Sequence, residues 1–282
     1  MKFINILTCC TLIFIGCTRQ PLNVYSPHPI NTAAVKEDGD ASLNVAYFSN
    51  GPKTPGENNL NSNGIAAQTR VVAIKNLFIE STINNLKEYT NKDIILNGNP
   101  NNTTYVSESN TTYKNFEVGI GKVFNLNNTK KNNFLLSVGY GKTSFSNKIF
   151  ENDGGIITNA RFNFNNKHIY LNALFQIQYG LFMYQGGFKF NLTKFENITT
   201  DNSSFYATEV SSLTRSNEQF RSFLQFYQDF GIVPSKKSPW LSLHANFAIN
   251  GRSNLDLNLR ARRLSGGLSI MASPSKLFKK KK

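Results

Sequence analysis

Arg70, Glu80, Glu117, Lys189, Arg221, Asp229, His244 and Arg263 are the residues whose types and spacing could do chemistry together. Each falls on the polar phase of a stretch that otherwise alternates apolar and polar residues, so all of them are expected to face one shared interior. Charges sequestered in such an interior must pair to offset their desolvation. Arg70 and Glu80, on neighbouring strands, are the expected ion pair. Two outcomes follow: a self-neutralising plug, which is the favoured reading, or a narrow polar passage for small solutes. Catalysis would require a nucleophile beside a base, or paired carboxylates with a histidine. The histidines His28, His168 and His244 stand far apart in sequence, and no HExxH, GxSxG, P-loop or CxxC occurs. Asp38/Asp40 and Glu151/Asp153 lack metal-ligand spacing and read as turn formers. The chain is therefore read as non-enzymatic, with no catalytic residue and no metal site.

The elements that must position these residues are strands. From Lys167 to Phe195, Ile169, Leu171, Ala173, Phe175, Ile177 and Tyr179 alternate with His168, Tyr170, Asn172, Gln176 and Gln178, with Leu174 the one intruder. After a turn near Tyr179-Gly180, Phe182, Tyr184, Phe188, Phe190 and Leu192 resume the pattern. Period-2 alternation marks a strand with one apolar and one polar face. Each arm matches the ~9–11 tilted residues that cross a bilayer as a β-strand. The same pattern predicts strands over about 41–50, 64–73, 77–89, 113–124, 133–145, 218–231, 240–249 and 262–272. Connections alternate between long and short, with long polar loops expected at 51–62, 91–112, 147–157, 197–216 and 250–261. That asymmetry, with an even strand count, is how outer-membrane barrels are built. The fold class expected is all-β: an antiparallel up-and-down transmembrane β-barrel of about ten strands, with eight or twelve as alternatives.

Composition agrees with this reading. A mean hydropathy of −0.33 with 40% hydrophobic residues excludes a bundle of spanning helices. A barrel tolerates low hydropathy because every second residue faces its lumen. The 23 Phe and 11 Tyr suit a lipid-facing and interfacial surface. The net charge of +14 comes from 31 basic and 17 acidic residues. The basic residues are scattered through turns and loops, apart from Arg260-Arg262-Arg263 and Lys279–Lys282. Nucleic-acid binders instead cluster them among stacking aromatics, so no nucleic-acid partner is expected. Anionic headgroups of outer-membrane lipid and lipopolysaccharide phosphates are the expected partners.

At the N-terminus, Lys2 precedes an apolar run from Phe3 to Ile15, the pattern of a secretory signal. Phe14-Ile15-Gly16-Cys17 resembles a bacterial lipoprotein signal. That resemblance implies a covalent diacylglycerol and acyl lipid at Cys17 as the only non-protein group, with no other cofactor. Cys9 and Cys10 would leave with the signal, so the exported chain could form no disulfide within itself. Barrel closure then has to supply stability, since it pairs every backbone group.

The lipobox ending in Cys17, Tyr25-Ser26-Pro27 and Asn31, Gly39-Asp40 before the first strand, the Gly119/Gly121 and Gly139/Gly141 strands, and the strand pair within Ile169–Phe195 together resemble small outer-membrane β-barrel lipoproteins of the Bacteroidetes type. The resemblance implies a barrel of about ten strands and no defined activity. It departs from many outer-membrane barrels at the C-terminus, where Met271-Ala272 precedes Ser273–Lys282 rather than a terminal aromatic. The expected organisation is a signal peptide at 1–16, a lipidated N-terminus and tether at 17–40, a barrel at 41–272 and a basic tail at 273–282. Both termini are expected in the periplasm. The role expected is structural or binding, through recognition loops 91–112 and 197–216 that meet an extracellular or envelope protein. The alternatives are a narrow channel and a soluble, lipid-anchored periplasmic barrel with an apolar ligand.

Overall fold

The computed structural model describes residues 22–25, 38–50, 59–95, 103–126, 132–153, 155–202, 207–217, 220–235, 238, 240–253, 259–261 and 264–274. Cys17, the signal segment and Arg263 lie outside them. Ten strands close into one antiparallel barrel: β2 (Ala41–Asn50), β3 (Asn59–Ile74), β4 (Leu77–Ile95), β5 (Thr103–Asn125), β6 (Asn132–Asp153), β7 (Ile156–Tyr179), β8 (Phe182–Thr200), β9 (Arg221–Ile232), β10 (Leu241–Ser253) and β12 (Leu264–Ala272). Each pairs with its neighbour in chain order, and β12 closes the ring onto β2, with Ile270 opposite Val45. This is the up-and-down transmembrane barrel that the alternation predicts.

The barrel is apolar outside and polar inside. On β7, Ile169, Leu171 and Ile177 are exposed while His168, Tyr170, Asn172 and Gln176 are buried. On β8, Phe182, Phe188 and Leu192 are exposed while Gln185, Lys189 and Asn191 are buried. Phe182–Leu192, at ~3.3 Å per residue and a tilt of ~40°, rises roughly 25 Å, the height of a lipid-facing band. A sheet whose apolar residues point away from its own interior is stable only against another apolar medium.

Turn chemistry fixes the short-turn end. Lys75 and Asn76 both have positive φ (50° and 62°), the two-residue turn whose twist suits a hairpin. Asp38 fastens it, its carboxylate accepting the Lys75 and Asn76 backbone N–H groups at 3.0 and 2.8 Å. Gly180 (φ 58°) opens the β7–β8 turn.

The long-loop end differs from the sequence reading. Segments 91–112 and 147–157 are mostly strand, not loop: β4 pairs with β5 up to Ile94 opposite Tyr105, and β6 pairs with β7 up to Asp153 opposite Ile156. They form a sheet wall that continues past the apolar band. There no lipid demands an apolar face, so alternation fades while ladder hydrogen bonds persist. Segment 197–216 contains the end of β8 and the helix α1 (Ala207–Asn217), and 250–261 contains the end of β10 and the short β11 (Leu259–Ala261). The short β1 (Leu22–Tyr25) pairs in parallel with β11. It is thus paired at the end opposite to the one where Asp38 and Asp40 enter β2, a contact the sequence does not announce.

Three apolar layers fill the lumen. At the long-loop end, Phe48, Tyr113, Phe145, Phe162, Phe164 and Phe195 pack together, and α1 drops Leu213 into them at 0% exposure. Towards the short-turn end sits a second layer, with Val72, Phe78, Val123, Leu135, Tyr227 and Leu174. Leu174 breaks the alternation because its inward phase lands in this layer. Met183, Val233 and Met271 close the short-turn mouth.

Candidate functional site: the buried polar layer of the lumen

Between the aromatic layer and the short-turn end lies a charged layer assembled from strands β3 to β10. Arg70 on β3 faces Glu80 directly across the β3–β4 ladder. Its Nε and Nη2 both donate to Glu80 Oε2, at 3.1 and 2.5 Å. The other carboxylate oxygen, Oε1, accepts from Ser137 at 2.6 Å and Tyr170 at 3.2 Å. The Arg70 guanidinium lies 4.8 Å from the centre of the Phe78 ring. Every strong hydrogen-bonding site of the Glu80 carboxylate is therefore engaged.

A second centre forms around Glu117 on β5. Lys189 Nζ, from β8, donates to both carboxylate oxygens at 2.6 Å, and His168 Nε2, from β7, lies 2.9 Å from Oε1. Lys189 also sits 4.5 Å from the centre of the Tyr170 ring, so Tyr170 links the two centres. Gly119, Gly139 and Gly141 make room for them. A Cβ at Gly139 would meet the Tyr170 ring and the Val118 carbonyl, and one at Gly141 would meet the His168 ring. The paired glycines on β5 and β6 are thus seats for inward-reaching side chains.

A third centre lies nearer the short-turn mouth. Ser242 and His244, two residues apart on one face of β10, join Asp229 of β9. Ser242 Oγ lies 2.8 Å from His244 Nε2, and His244 Nδ1 lies 3.0 Å from Asp229 Oδ2. A Cβ at Gly231, opposite His244 in the ladder, would meet the imidazole. The order Ser–His–Asp is that of a nucleophilic triad. Yet Ser242 is 3% exposed, and from Leu243 to Ile249 the β10 backbone pairs with both β9 and β12. That stretch leaves no backbone N–H to receive an oxyanion. The arrangement serves as a pin holding β9 and β10 in register. Accordingly, a fluorophosphonate probe should leave Ser242 unlabelled in the folded protein; stoichiometric labelling there would establish a reactive serine.

The remaining residues expected inside fall elsewhere. Arg221 is on the inward phase of β9 but half-buried at the long-loop end, opposite Thr193, away from the three centres. Arg263 lies outside the described residues. Sequence reasoning missed Tyr170, Tyr227 and Ser137 as members of the layer. Tyr227 donates to Asn172 Oδ1 at 2.9 Å. Their signal was their phase, since all three alternate with exposed apolar residues. Among the described residues, no group of three His, Cys, Asp or Glu comes together to hold a metal.

The cavity at the heart of the layer, lined by Gln68, Arg70, Glu80, Glu117, Tyr170 and Lys189, has a volume of about 20 Å³. That holds about one water molecule. Ion pairs and aromatic side chains occupy the cross-section that a pore would need.

Fold and site together define a class: an antiparallel ten-stranded transmembrane β-barrel with a side-chain-filled lumen. In sequence the chain matches no protein family and no curated protein. Among solved structures it is similar to the translocator domain of the autotransporter NalP from Neisseria meningitidis, at 10% identity and a TM-score of 0.49, over 85% of this chain and 90% of that one. It is also similar to the outer membrane protease OmpT from Escherichia coli, at 10% identity and a TM-score of 0.42, over 83% and 92%. A third is Ail, the attachment invasion locus protein of Yersinia pestis, at 11% identity and a TM-score of 0.31, over 84% and 98%.

Proposed function

We infer that this protein is an outer-membrane β-barrel lipoprotein, acylated at Cys17, with a closed lumen and a structural or binding role. The short turns lie on the periplasmic side, following the construction rule of such barrels. The long-loop end then presents the β4–β7 sheet wall and α1 to the outside. A rigid scaffold carrying such projections is where recognition of an extracellular or envelope protein would sit. The surrounding partners are outer-membrane lipid and lipopolysaccharide.

The observation that carries the reading is the filled lumen: an aromatic layer, a paired charged layer and an apolar layer succeed one another along the axis. The test is planar-bilayer recording of the purified full-length protein. The expected record is free of unitary current steps, and reproducible steps of constant size would establish the channel alternative instead. Glu80→Ala sharpens the test. It should cost about 3 kcal/mol, because Arg70 loses its carboxylate and the Phe78 ring offsets only part of its desolvation. It should not raise conductance, since the aromatic layer above remains intact; a clear rise would mean that the ion pairs alone block a passage.

A further inference from the structure

Five consecutive strands each place one exposed lysine on the outer wall where the apolar band ends: Lys87 on β4, Lys114 on β5, Lys142 on β6, Lys167 on β7 and Lys194 on β8. Lys142 is directly opposite Lys167, and Lys167 directly opposite Lys194. Lys114 stands opposite Ser144, one outward position above Lys142, and Lys87 stands opposite Thr112, one outward position above Lys114. The lysines thus form a continuous collar. Directly beneath them on the same strands, two residues towards the short-turn end, are the exposed Tyr140, Ile169 and Leu192. Above them the outward residues turn polar, as at Ser144, Asn163 and Asn165.

Like charges directly opposite each other across strands destabilise a sheet. Only Lys167 has a carboxylate partner in the described structure, Glu196 at 2.8 Å. The collar therefore carries excess positive charge at the height where lipid phosphates lie against a spanning barrel. Below it the outer face of β4–β8 is an apolar band, with Ile83, Phe116, Val138, Leu171 and Phe188 exposed. Cations above an apolar band complement an amphiphile that has phosphate at its head and acyl chains below.

We propose that the Lys87–Lys114–Lys142–Lys167–Lys194 collar binds the phosphate groups of a phosphorylated glycolipid in the outer leaflet, whose acyl chains lie along the apolar band beneath it. This rests on the outer-membrane reading above and adds to it a site and a chemistry. Phosphate recognition by lysine is that of a point charge, strengthened near the low-dielectric band.

The test uses full-length protein in mixed micelles containing diphosphoryl lipid A and phosphatidylcholine, with bound lipid counted by native mass spectrometry. Wild type should retain diphosphoryl lipid A in preference to phosphatidylcholine. K142Q/K167Q/K194Q should lose at least about tenfold of that preference, given the ~1 kcal/mol that each basic residue near a membrane surface contributes. K75Q/K122Q, at the opposite edge of the band, should retain it. Equal retention by the triple variant, or no preference in wild type, would overturn the proposal. So would complete displacement of the lipid by millimolar inorganic phosphate, which would make the collar a site for the free anion. Each sample is first checked for a mobility difference between boiled and unboiled protein. Absence of that difference in wild type counts against the membrane barrel itself, and its presence without lipid preference counts against the collar alone.

Discussion

Glu117→Ala should lower the stability of the barrel by about 3–5 kcal/mol, the cost of leaving a buried charge unpaired. Lys189 is 2% exposed and gives its ammonium to both Glu117 oxygens. With the carboxylate gone, the Tyr170 ring is its remaining partner in the charged layer, and an aromatic face offsets only part of the desolvation. His168 loses its Nε2 partner in the same step. Reversing the damage should not require the carboxylate. Glu117→Ala with Lys189→Met removes both charges and should recover most of the loss, because an apolar replacement of a buried pair is often neutral. Unfolding in urea, followed by the fluorescence of Trp240, the single tryptophan, measures both variants. If Glu117→Ala unfolds like wild type, the charged layer is hydrated and the lumen is open.

Phe164→Ala should cost a similar amount, about 3–5 kcal/mol, for a different reason. Phe164 is the hub of the aromatic layer: it stacks on Phe145 at 4.3 Å between ring centres and meets Phe195 at 5.2 Å and Phe162 at 6.1 Å, edge to face. Its removal leaves a cavity that rings held on paired strands cannot close, and it forfeits several aromatic contacts at once. Phe188→Ala, which truncates an exposed ring on the lipid face, is the control and should cost far less. Equal costs at the two sites would mean that the long-loop end of the lumen is not packed.

The difference between what the sequence shows and what it hides is one of distance along the chain. Arg70 and Glu80 are legible as partners because both fall on the polar phase of two strands joined by the tight turn at Lys75-Asn76, although the ladder brings them opposite each other through a register shift between Val72 and Ile74. The strands are legible because lipid on one side and lumen on the other impose period 2. Above the band that constraint lapses, and so 91–112 and 147–157 read as loops although they are sheet. The Glu117–Lys189–His168 centre brings together β5, β7 and β8, and Glu117 and Lys189 are not on adjacent strands. No local pattern encodes such a contact across the lumen. Leu174 carried a readable signal, since an apolar residue on the inward phase marks an apolar layer inside. Val210 and Leu213 carried another, the three-residue spacing of a short helix within a polar segment. The lysine collar was hidden by counting charge over the whole chain. It emerges when each lysine is placed at its height on its own strand.

The account turns on a closed barrel that lives in an apolar medium, and the most direct measurement is electrophoretic mobility of the detergent-extracted protein with and without boiling. A closed ladder leaves no edge from which the detergent can peel the sheet. The unboiled protein should therefore migrate apart from the boiled chain and converge on it only after heating. Identical mobility, together with release of the protein into the aqueous phase when its lipid anchor is removed, would contradict the account: the apolar band on β7 and β8 would then not face lipid.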